Sequence, residues 1–104
     1  MAEEKAEVIE TIKRLVEVLK RNNINIAEAY LFGSYAQGRP SKYSDIDVAL
    51  ISDDLSGVRY LDIKRIGRMV RQLDYRIEAH TFTHSDKEES MFLDEIIRTG
   101  IRVA

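Results

Sequence analysis

The chain has 104 residues, with 16 Lys plus Arg against 18 Asp plus Glu, a formal net charge of -2 and no cysteine. A chain this short is expected to form one domain over residues 1–104, enough for one sheet and a few helices but not for a second domain that would grip a large substrate. The charge balance argues against a general nucleic-acid binder, and the missing cysteines rule out disulfides and thiolate metal sites. No apolar run approaches the ~20 residues of a membrane span. The start, MAEEKAE, lacks the apolar core of a signal peptide, so a cytoplasmic location is expected.

Val8, Ile9, Ile12, Leu15, Val16 and Leu19 recur at three- and four-residue spacing and predict a helix over 4–21. Acidic residues near its start and Lys20 and Arg21 near its end suit the helix dipole. A first strand is expected within 24–32, most clearly over Ala29-Tyr30-Leu31-Phe32. Gly33 ends it, either by holding a backbone angle closed to other residues or by letting a ligand come close. Ser34 opens a short turn to Gln37, where it either caps the turn or turns its backbone N–H toward an anion. Gly38 closes the turn, and Arg39-Pro40-Ser41 reads as loop.

The second strand is expected over 44–51. Alternation along it points Asp45 and Asp47 to one side and Ile46 and Val48 into the core. Residues 58–73 form the next helix, with Leu61, Ile66, Met69, Val70 and Leu73 as its apolar face and Lys64, Arg65, Arg68 and Arg71 as a solvated surface. The third strand runs over 75–82, where Arg76, Glu78 and His80 share a face. Ser85 and Glu88 have capping-box spacing, predicting a helix from Asp86 to Arg98. Gly100 closes it, and residues 101–104 can add an edge strand. The fold class is α+β, a small mixed β-sheet with helices packed on one face.

Neighbouring carboxylates repel unless a cation sits between them. Asp45 and Asp47, with Glu78 on an adjacent strand, therefore suit Mg²⁺, the cation that carboxylates share with phosphates. The Gly33-Ser34 turn would cradle phosphates, and Arg39 or Lys42 would offset their charge. His80 shares Glu78's face, but a lone strand histidine is more often structural. Asp74 is a rival third carboxylate at a helix–strand junction. Tyr35 and Tyr43 are candidates to stack on a base, although nothing demands it.

Gly33-Ser34, followed after the Gly38-Arg39-Pro40 loop by Asp45-Ile46-Asp47, with Glu78 in Arg-Ile-Glu-Ala-His, resembles the nucleotidyltransferase superfamily of the DNA polymerase beta type. The compact form is similar to the minimal, MntA-like nucleotidyltransferases of prokaryotes. That resemblance implies the nucleotidyltransferase fold, with Asp45, Asp47 and Glu78 as catalytic residues holding Mg²⁺ and Gly33, Ser34 and Arg39 binding ATP as co-substrate. It further implies a toxin–antitoxin pair in which this chain, the antitoxin, transfers AMP to a tyrosine of a small helical HEPN-type partner within a hetero-oligomer. Direct nucleic-acid binding is not expected. Two departures stand out: Glu78 replaces the aspartate of many relatives, and Tyr35 replaces the arginine that often follows the serine. They leave open a second reading, an antitoxin-like binding module that neutralises its partner by contact.

Overall fold

The computed structural model describes residues 2–38 and 45–104. In chain order the elements are α1 (Ala2–Arg21), β1 (Glu28–Phe32), β2 (Ile46–Ile51), α2 (Arg59–Leu73), β3 (Ile77–Phe82), α3 (Asp86–Glu89), α4 (Met91–Thr99) and β4 (Ile101–Arg102). The strands form one sheet in the order β3-β2-β1-β4. β1 pairs antiparallel with β2 and β4, whereas β2 and β3 run parallel. A parallel pair needs a long crossover, and α2 supplies it. The expected mixed sheet is thus formed.

The apolar stripe of α1 explains its place. Val8, Ile12, Leu15 and Leu19 are buried against Ala29 and Leu31 of β1, Ile46, Val48 and Leu50 of β2, and Ile66 and Val70 of α2. The two long helices cover one face of the sheet through this core. On the opposite face, Leu93 and Ile96 of the short α4 pack with Tyr30, Ala49 and Ile51. That cover is partial, and the uncovered part carries the candidate site. Among the described residues, no helix is long and apolar enough to cross a membrane.

Three local expectations are corrected. Leu61 is not in the core: it is 52% exposed, and its neighbour Asp62 is buried instead. The Asp62 carboxylate accepts hydrogen bonds from the Ser56 and Gly57 backbone N–H groups and the Ser56 hydroxyl, at 2.7–3.1 Å, tying the connector after β2 to the start of α2. The helix expected over 86–98 is split at Ser90, which caps α4 by accepting the Leu93 N–H at 3.1 Å. Ser85, the expected cap, has helical backbone angles and no side-chain cap bond. The polar run over 85–89 buries nothing, so it forms a single turn and leaves the apolar stripe to start a new helix.

Candidate active site

Strand register builds this site from ordinary alternation. On the partly covered face, Phe32 of β1 lies opposite Asp47 of β2, which lies opposite Glu78 of β3. The next row is Tyr30, Ala49 and His80, and the third is Glu28, Ile51 and Phe82. The first row sits where β1 runs into the Gly33 turn; α4 covers the other two through Ala49 and Ile51. Asp47 and Glu78 therefore share a face at the open end of the sheet.

Asp47, Glu78 and His80 can each offer one ligand atom, and these atoms lie within 4.8 Å of one another. His80 Nε2 is 3.6 Å from Asp47 Oδ1. Glu78 is exposed, whereas Asp47 and His80 are partly buried. Asp45 precedes β2, is exposed, and falls outside this cluster. Its charge still reaches Asp47. The Asp47 carboxyl is held above the usual aspartate range, first by burial, then by the Glu78 charge and in small part by Asp45, with His80 opposing them.

Gly33 has φ +75°, in the left-handed region that glycine occupies without strain. A Cβ there would stand 2.4 Å from Asp47 Oδ2. The turn reading of this glycine is met, and what comes close to its Cα is the chain's own Asp47 carboxylate. Residues 33–38 form a turn, with the Gln37 N–H bonded to the Gly33 carbonyl at 3.2 Å. Ser34 lies in it, partly buried. Arg39, Lys42 and Tyr43 lie outside the described residues.

Two candidates have other work. Tyr35 is 2% exposed and belongs to the main core, where its hydroxyl accepts a 3.1 Å bond from Arg76 Nη1. It does not stack on a base. Asp74 grips Arg76 through two side-chain bonds, at 3.1 and 2.8 Å, and this pairing holds its carboxyl below the usual range. A carboxylate so satisfied is structural. His80 is the residue that sequence reasoning left out. Its signal was present in the alternation with Glu78, but only the parallel β2–β3 register brings it beside Asp47.

The donor set fits a divalent cation. Two carboxylates crowd together, one with its proton affinity raised, and the glycine beside them leaves space where any side chain would clash.

The polymerase beta nucleotidyltransferase family model matches residues 13–104. The chain belongs to this family. Among solved structures it is similar to a candidate nucleotidyltransferase from Sulfolobus solfataricus, at 20% identity and a TM-score of 0.66, over 97% of this chain and 83% of that one. It is also similar to a chain of a toxin–antitoxin structure with AMP-PNP, at 24% identity and a TM-score of 0.57, over 92% of this chain and 72% of that one. At these identities the two structures speak to the fold alone. No curated protein matches the chain. In this family member, the Gly33 turn and the acidic row are adjacent parts of one surface.

Proposed function

We propose that this chain is a Mg²⁺-dependent nucleotidyltransferase of the minimal, MntA-like kind, moving AMP from ATP to a tyrosine hydroxyl of a small helical HEPN-type partner. In this reading it is the antitoxin of a toxin–antitoxin pair. The observation that carries the reading is the pairing of Asp47 with Glu78 across β2 and β3, directly below the Gly33 turn. Family membership and the likeness to a toxin–antitoxin chain solved with AMP-PNP support it.

Asp45, Asp47 and Glu78 would hold the cation, which when bound supplies charge neutralisation for the triphosphate. Gly33 and Ser34 present backbone N–H groups and a hydroxyl to the phosphates, and Arg39 adds positive charge there. The acceptor oxygen forms a bond to the α-phosphorus, the bond from that phosphorus to the β-phosphate oxygen breaks, and pyrophosphate leaves. Glu78, exposed on the outermost strand, takes the hydroxyl proton. Positioning and electrostatics do the work, and no protein nucleophile is needed.

The test is incubation with α-labelled ATP, Mg²⁺ and the protein encoded beside it. Label should pass to that protein and not in a D45A/D47A variant. Transfer that persists in the double variant would overturn the reading. A tight complex without transfer would leave neutralisation by contact.

A further inference from the structure

The two ring nitrogens of His80 face different neighbours. Nδ1 lies 3.3 Å from Arg59 Nη2, at the start of α2. Nε2 lies 3.6 Å from Asp47 Oδ1, is shielded from solvent and has no hydrogen-bond partner among the described residues. The ring is held edge-on by Phe32 and Phe92, with centroids 5.1 and 5.9 Å away.

A guanidinium has only donors. Facing one, Nδ1 must accept, and the proton of the neutral ring is left on Nε2. A protonated Nε2 offers no lone pair to a cation. His80 therefore stands among potential ligands by distance but not by chemistry. Its Nε2 instead has Asp47 Oδ1 as a neighbour at 3.6 Å, while Asp47 Oδ2 lies where a Cβ on residue 33 would clash. At 3.6 Å the N–H contact is longer than a formed hydrogen bond, and such contacts tighten when a site is loaded.

We propose that Arg59 and His80 form a positioning relay for Asp47: Arg59 fixes the His80 tautomer, and the Nε2–H fixes the rotation of the Asp47 carboxylate. His80 is thus neither a metal ligand nor a base. Its role rests on the reading of Asp47 as a cation-binding residue. The tautomer itself does not, because it is set in the metal-free chain. The relay also explains why an exposed arginine at the head of α2 reaches across to β3.

Long-range ¹H–¹⁵N spectra of the metal-free protein should show His80 with Nδ1 bare and the proton on Nε2. In R59A that preference should give way to a mixture. Mn²⁺ affinity should fall about tenfold in H80A and in R59A, as for other residues that orient a ligand. H80Q, whose amide can donate to the same oxygen, should stay within about threefold of the parent. A dominant Nδ1–H tautomer would overturn the relay, as would direct coupling of a His80 nitrogen to ¹¹³Cd²⁺. Failure of the parent protein to bind Mn²⁺ would sink the cation-site reading, and with it the purpose of the relay, while the tautomer would still report on Arg59.

Discussion

One face of the sheet carries carboxylates at both ends, and they live in opposite conditions. Glu28, in the row farthest from the Gly33 turn, is 8% exposed and fully partnered. The Tyr30 hydroxyl donates to it at 2.6 Å, Lys87 of α3 forms an ion pair with it, and Arg102 of β4 stands 3.7 Å away. The bond from Lys87, then that from Tyr30, holds the Glu28 carboxyl below the usual glutamate range. Asp47, in the first row, is pushed the other way, first by burial and then by Glu78 across the strand pair. Glu28 is satisfied by the chain itself and fastens α3 and β4 to the sheet. Asp47 has no such set of cationic partners among the described residues, which is why the cation role is proposed for it and not for Glu28.

The largest effect should separate the two positions outright. D47N should lose nucleotidyl transfer by about a hundredfold to a thousandfold, the order seen when an electrostatic stabiliser is removed. Its thermal melting in the absence of metal should hold or rise, because a repulsion with Glu78 is relieved. E28Q should do the reverse, keeping transfer per folded molecule while losing about 1–3 kcal/mol in a denaturant titration, the range for a disrupted buried charged bond. A melting loss in D47N equal to that in E28Q would erase the distinction.

G33A bears on the same contrast from the backbone side. A left-handed non-glycine costs about 1–2 kcal/mol. The new methyl must also displace the Asp47 carboxylate, so transfer should fall more steeply than stability does, as activity assays beside urea curves would show.

Acid should act on the two ends with opposite signs. The folded-state pKa of Glu28 is lowered, so its contribution is present above the ordinary value of 4.5 and is lost as pH falls through the depressed folded value. Asp47 has a raised folded value, so below it the folded chain gains stability until the unfolded chain also binds the proton, near 3.8. Stability against pH should therefore be flatter below 4.5 in E28Q than in the parent. In D47N the acid-side gain should vanish.

The smallest effect is expected at the cap that seats α4 over the closed end. S90A should cost about 1 kcal/mol of stability, the usual worth of an N-cap hydroxyl. Transfer should be little changed, because Ser90 touches no part of the acidic row.

Much of the fold was legible because burial enforces periodicity. The stripe of α1 and the apolar runs of the three main strands each have one arrangement that hides them. Asp45, Asp47 and Glu78 stood out for the complementary reason: charge interrupting apolar strands calls for an explanation. Leu61 and Asp62 show the limit. Helical spacing favoured the leucine, but the hydrogen bonds from Ser56 and Gly57 made it cheaper to bury the carboxylate. The capping box misled because Ser85 and Ser90 both precede helical turns, and packing of Leu93 and Ile96 went with the Ser90 cap.

The amino-acid order by itself determined the strands, the two long helices, the apolar face of α1 and the acidic residues of the strands, since these follow from local spacing and from the cost of burying charge. Tertiary structure alone decided which charges meet. Strand register placed Glu78 and His80 beside Asp47, the start of α2 brought Arg59 to the imidazole, and Gly33 proved to be shaped around a carboxylate oxygen. Those are contacts between segments far apart in the chain, and no local pattern encodes the alignment of one strand against another.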